Sequence, residues 1–266
     1  LLTYFEDVSV EGVIGHLDLE AYADDSAKTV IVNVETGERV PHFVEVDNTT
    51  EEISQRLLSL QPMVPLDFSS RYVVGIRGLV KNDGESVEPS EVFQELRDAT
   101  DPDAWDFEGR RAHFEEVVFP VLAQQGFERE ELQLAWDFVT VSRENSLGRL
   151  EWMRDDALAR SDSEGLSYSI NSVEEGDCAN GDAIARTLEG TFVSPLYTVE
   201  DDEGTVLTRD DDGMPYYNGD TEVRFLVRIP CSLAENPRPA RIVQYGHGLL
   251  GNRGEAKTGH LSDVMN

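Results

Sequence analysis

The sequence predicts a mixed β and α/β chain, and three observations carry that reading. β-branched runs closed by glycine turns fill the first third, apolar residues at helical spacing fill the middle, and a short apolar run meets a glycine-rich turn near the end. They divide the chain into residues 1–89, 90–165 and 166–266.

In the first region, Lys28-Thr-Val-Ile-Val-Asn-Val34 reads as a strand ending at the turn Glu35-Thr-Gly37, and Val40 to Val46 is expected to pair back as a hairpin. Arg71-Tyr-Val-Val-Gly-Ile-Arg77 is a second strong strand, followed by the tight-turn signal Asn82-Asp-Gly84. Short strands with regular turn punctuation predict an immunoglobulin-like β-sandwich. Pro65-Leu-Asp-Phe-Ser-Ser-Arg-Tyr72 also resembles the leading strand of bacterial Ig-like modules.

The middle region is helical at first. Ser90 is placed to cap a helix carrying Val92, Phe93 and Leu96, and Phe114, Val117, Val118, Val121 and Leu122 share one helical face. Pro120 predicts a kink or an early end, and Gly126 a stop. Leu132-Gln-Leu-Ala-Trp-Asp-Phe138 alternates like a strand, with Asp137 expected as a hydrogen-bonded strand-end carboxylate, and a helix follows over 147–160.

In the last region, 183–197 and Val223-Arg-Phe-Leu-Val-Arg-Ile229 read as strands. Between them, Glu200-Asp-Asp-Glu-Gly204 and Asp210-Asp-Asp-Gly213 are read as solvated hairpin tips. No cofactor is expected. Calcium is the one ion such acids invite, although Pro215 and Thr221 break the EF-hand template that Asp210 would open. Cys178 and Cys231 lack zinc or redox spacing and are expected to form a disulfide, which fits a secreted, periplasmic or cell-surface protein.

Charge narrows the partners. Fifty-three carboxylates against 22 lysines and arginines give a net charge of -31, a field that repels phosphate backbones and anionic membranes. Nucleic acid is therefore not expected as a partner, and no apolar run is long enough to span a bilayer.

The chemistry concentrates in Arg241-Ile-Val-Gln-Tyr-Gly-His-Gly-Leu-Leu-Gly251, read as a strand and glycine turn, with a helix after it over 255–265. Such a unit leaves backbone N–H groups free to meet negative charge, and its glycines allow close approach and positive φ. Acyl transfer needs this arrangement, because its tetrahedral intermediate places a full charge on oxygen.

Tyr245-Gly-His-Gly-Leu-Leu-Gly251 resembles the His-Gly-x-x-Gly oxyanion loop after the third strand of α/β-hydrolases. The resemblance implies that Leu249 supplies the oxyanion N–H, that His247 and Gly248 shape the turn, and that Gly251 frees its exit. With Thr36-Gly-Glu-Arg-Val-Pro-His42, Arg71 to Leu79 and Leu132 to Phe138, the chain is similar to secreted bacterial proteins that join an Ig-like region to an α/β-hydrolase domain, as in virulence-factor-type extracellular lipases. The implied substrate is an ester or lipid.

No Gly-x-Ser-x-Gly occurs, so the implied enzyme needs a nucleophile from a C-terminal remainder of the hydrolase domain, and residues 166–266 are expected to be only its opening strands and first helix. The competing reading is a non-catalytic cell-surface or assembly protein. His260 is expected on a helix surface, while His16, His42 and His113 have no evident partners.

Overall fold

A computed structural model describes residues 1–98, 108–161 and 165–265, so parts of the 90–165 region lie outside the described residues. The chain is mixed α and β and divides into two compact units, Leu1–Ser146 and Leu147–Asn266.

The first unit contains strands β1 (Leu2–Tyr4), β2 (Thr29–Asn33), β3 (His42–Val46), β4 (Leu57–Pro62) and β5 (Arg71–Arg77). Helices α1 (Glu91–Asp98), α2 (Glu108–His113) and α3 (Phe119–Gln124) follow, then strand β6 (Leu132–Val139). Two antiparallel sheets form, in the orders β1-β4-β3 and β2-β5-β6. Val44, Leu58 and Leu60 of the first sheet share one core with Ile31, Tyr72, Val74 and Ile76 of the second. The second sheet's other face, through Val30, Val32, Val73 and Ala135, packs on Phe93, Leu96, Phe114, Phe119 and Leu122 of the helical segment.

This layering explains why β2 and β5 read as continuous apolar runs. Both faces of their sheet are covered, so every residue of β2 is buried and strict alternation has no use. Gly75 is the exception that proves useful: a Cβ there would lie 2.7 Å from Leu122 Cδ2, so only glycine lets α3 approach β5 this closely.

The hairpin expected over 28–46 does not form. The turn is present, with the Gly37 N–H donating to Asn33 O at 2.8 Å, and pairing begins at the single bridge Val32 to Arg39. Pro41 then offers no N–H to extend a ladder. The chain crosses to the other sheet, where β3 pairs with β4. The helix near Pro120 differs in detail from a simple kink: a π-helical turn at Phe114–Val118 precedes it, and α3 continues past the proline, which sits in its first turn. Gly126, at φ +75°, ends it.

Strand β6, which falls within residues 90–165, lies beside β5 in the sheet built otherwise from residues 1–89. Arg77 ties that end together: it donates to Gly126 O, Ala27 O and Glu131, and its guanidinium stacks 4.0 Å over the Phe127 ring.

The second unit contains α4 (Arg149–Arg160), then β7 (Tyr168–Glu175), β8 (Ile184–Pro195) and β9 (Asp220–Pro230), followed by α5 (Cys231–Glu235) and α6 (Gly259–Met265). The strands form one antiparallel sheet in the order β7-β8-β9. Its register aligns the rows Tyr168–Phe192–Val223, Ile170–Gly190–Phe225 and Val173–Leu188–Val227, giving one apolar face. Gly190 leaves room for the Phe225 ring, whose Cζ would sit 2.5 Å from an added Cβ.

That apolar face is mostly uncovered, with Tyr168 at 69% and Val173 at 51% exposure. The opposite, polar face is the one that is tied down. Arg228 donates to Ala256 O and Ser262 Oγ, and Glu189 pairs with Lys257 and Arg253. Ile184, Pro215 and Cys231 are the buried apolar side chains of this unit among the described residues. The expected disulfide is present: Cys178 and Cys231 close a loop of 53 residues at the end of the β8–β9 ladder.

Candidate functional site

The candidate stretch from Arg241 onward has a different local structure from the one its sequence suggests. Residues 241–245 do not form a strand, and Ile242 and Val243 are 97% and 75% exposed. A strand is stable only beside a neighbour that completes its ladder, and among the described residues no strand edge borders this segment. Pro237 and Pro239 just before it favour an extended, unpaired backbone.

The expected helix over 255–265 is split. A 3-10 turn, Arg253–Lys257, ends at extended Thr258, and α6 begins at Gly259. Asn252 caps the first of these by accepting from the Gly254 N–H at 2.8 Å.

Between these segments lies a β-turn, closed by the Gly251 N–H donating to Gly248 O at 2.9 Å. Leu250 occupies its third position at φ +64°, the slot that ordinarily takes Gly or Asn. Gly246, Gly248 and Gly251 all keep φ outside the left-handed region. The expectation that a glycine would supply positive φ here is therefore corrected: a leucine does so, at a cost of about 1 kcal/mol.

The glycines serve close approach instead. A Cβ at Gly251 would collide with the Glu255 carboxylate. That carboxylate accepts from the Gly248 N–H at 3.1 Å and from the Tyr245 hydroxyl at 3.3 Å. His247 Nδ1 donates to Gly248 O at 2.8 Å, which holds its ring against the turn. Leu249 is 97% exposed, and its N–H has no hydrogen-bond partner among the described residues.

The loop thus presents two successive amides, one already engaged by an anionic oxygen and the next free. Chemically a free amide beside an engaged one can accept a small negative charge, because backbone N–H dipoles stabilise an anion. Glu255 was missed by sequence reasoning. Its signal was the Asn-x-x-Glu pattern Asn252 to Glu255, in which the acid commonly reaches back to its own cap. Here it reaches further, to Gly248.

Other candidates resolve as follows. Asp137 accepts from Arg71 Nη1 and from His113 Nε2, the latter at 2.9 Å, so it is a doubly bonded carboxylate of β6 and His113 has a partner 24 residues away. No hydroxyl or thiol bonds the His113 ring among the described residues. His42 is fully buried between the sheets, with Nε2 2.9 Å from Thr29 Oγ1 and Nδ1 2.8 Å from Val40 O. Burial holds its imidazole below the ordinary value, the Val40 carbonyl opposes, and nearby Arg39 adds to the lowering.

The acidic run at 210–213 is a turn in which Asp210 Oδ1 accepts from the N–H groups of Asp212 and Met214. Among the described residues, no group of three or more His, Cys, Asp or Glu side chains converges as a metal site. No helix among them is long and apolar enough to cross a membrane.

A cleft of 690 Å³ in the first unit gathers Lys28, Arg77 and Arg97. Its cations are already engaged: Lys28 donates to Glu11 O, and Arg97 to Asp98 and Leu132 O. Against known proteins, no family model, curated protein or solved structure matches this chain.

Proposed function

We propose that this chain is the N-terminal portion of a secreted carboxylic ester hydrolase, in which residues 245–251 supply the oxyanion loop. The observation that carries the reading is the pair of successive amides at Gly248 and Leu249. The first holds a carboxylate oxygen, and the second, on an exposed residue, has no hydrogen-bond partner among the described residues. An ester's tetrahedral intermediate needs donors of this kind, and each is worth about 3 to 4 kcal/mol in the transition state.

In this reading the two sheets of the first unit are an Ig-like scaffold, and β7, β8 and β9 open a hydrolase-type sheet. The uncovered apolar face of those strands supports a role as part of a larger assembly of secondary structure. The Cys178–Cys231 disulfide supports an oxidising compartment. The 266 residues hold no Gly-x-Ser-x-Gly, so the serine comes from further sequence or another chain.

The test uses the natural full-length gene product and short-chain nitrophenyl esters. Leu249→Pro removes the donor while keeping a negative φ, and is expected to lower kcat by about 10²- to 10³-fold, with Leu249→Ala near wild type. Absence of ester turnover in the full-length protein, or equal rates for Leu249→Pro and Leu249→Ala, rejects the proposal. The competing reading, a non-catalytic assembly protein, is favoured by one feature: Glu255 already satisfies the Gly248 amide, as a purely structural turn requires.

A further inference from the structure

Among the described residues, nothing pairs with the outer edge of β7. Edge strands expose a row of unpaired N–H and C=O groups, and proteins ordinarily blunt them with lysine, proline or inward charge. Every residue of β7 is exposed, and among the described residues it pairs only with β8. Residues 165–173 carry no charge, although more than a quarter of the chain is charged, and they contain no proline or lysine. The sheet's other edge is different: β9 carries Asp220, Glu222, Arg224 and Arg228.

The pattern of β7 is self-complementary. With Asn171 bulged out of the β8 pairing, Tyr168, Ile170 and Val173 fall on the apolar face, and Ser169 and Ser172 on the polar one. An antiparallel pairing of β7 with a second β7, centred between Ile170 and Asn171, sets Tyr168 opposite Val173 and Ser169 opposite Ser172. Tyr168 meets Val173 and Ser169 meets Ser172 in both halves of the pair, while at its centre Ile170 meets the bulged Asn171. Glu174 and Glu175 then face Ser167 and Leu166, so no carboxylate opposes another across the seam.

We infer that β7 is a self-association edge, through which two copies of this chain join antiparallel about a twofold axis between Ile170 and Asn171. The contact is isologous, so it closes at two copies, and the charges on β9 discourage continuation into a filament. The apolar rows of the two sheets become one continuous face. An edge-to-edge seam buries less than the standard interface of about 1,600 Å², so association depends on concentration. Two bodies of net charge -31 repel, and salt strengthens their pairing.

Sedimentation velocity of the oxidised chain over a concentration series tests this. The mass is expected to rise from 29.7 kDa toward twice that value, at lower concentration when salt is raised. Ile170→Lys places a charge in the seam, and Asn171→Pro removes an N–H at a bulge that is outside the β8 ladder. Both are expected to remain monomeric, with circular dichroism like the wild type. Amide exchange of the wild type needs no variant, and residues 168–173 are expected to gain protection as concentration rises. A single 29.7 kDa species under all conditions, or a dimer without added protection at 168–173, overturns the inference. So does a dimer that survives both substitutions.

Discussion

Removing the Cys178–Cys231 bond is expected to loosen the second unit and leave the first intact. The bond closes a loop of 53 residues, and on the chain-entropy model that constraint stabilises the folded state by about 4 kcal/mol. In the first unit such a loss would be spread against two apolar clusters, one between the sheets and one beneath the helices. In the second unit Cys231 is itself one of three buried apolar side chains among those described, with Ile184 and Pro215, and the sheet is otherwise held by its ladder and by ion pairs of Glu189. Those pairs are exposed, and pairs of that kind contribute little. The perturbation is Cys178→Ala with Cys231→Ala, which avoids burying a hydroxyl. The assay is native-state amide exchange read by mass spectrometry, which reports each unit separately. Peptides covering β8 and β9 are expected to exchange about 10³-fold faster, the equivalent of about 4 kcal/mol, while those covering β2 and β5 keep wild-type protection. Unchanged exchange in β8 and β9 would refute the reasoning, as would equal loss in both units.

Three further outcomes follow from the geometry. His42 is held neutral by burial, so as pH falls through 6.5 the unfolded chain takes up a proton that the folded one refuses; stability is full above that value and declines below it, until the folded group also titrates. The slope is at most about 1.4 kcal/mol per pH unit, and urea melts of His42→Gln should show a correspondingly flatter profile just below pH 6.5. Gly75→Ala should cost about 1–3 kcal/mol by urea midpoint, because the new methyl meets Leu122 Cδ2 at 2.7 Å in a fully buried site. Leu250→Gly should relieve about 1 kcal/mol of left-handed strain, read as slower exchange of the Gly251 amide that closes the turn.

Local signals in this sequence were legible where short-range chemistry decides the outcome. Ser90 caps α1, with its hydroxyl accepting from the Phe93 N–H at 3.2 Å, and Arg71–Arg77 is a strand with the bounds its β-branched run suggested. The disulfide followed from counting cysteines. What remained hidden was partnership across sequence. Nothing in residues 28–46 says that Pro41 will send the chain to a second sheet, or that His113 will meet Asp137 on β6. At the candidate site the glycines were visible and their use was not. Gly251 is required by a carboxylate arriving from Glu255, and the positive φ falls on Leu250 because the turn is closed by the 248–251 hydrogen bond.

Alternation along a strand identifies which face is apolar; it does not identify which face is covered. In β9, Val223, Phe225, Val227 and Ile229 alternate with polar residues, the pattern of a strand resting on a core. The covered face of that sheet is nevertheless the polar one, through Arg228 and Glu189, and Val223 and Val227 are 37% and 44% exposed. The first unit shows the opposite case, where two covered faces erase alternation altogether. The hydrophobic effect acts on area removed from water, so an apolar row left in water is association free energy not yet realised. It supports reading the second unit as part of a larger packed structure; the β7 seam gains from its ladder and its cross-strand pairs, because joining two sheets edge to edge leaves the broadened apolar face itself in water.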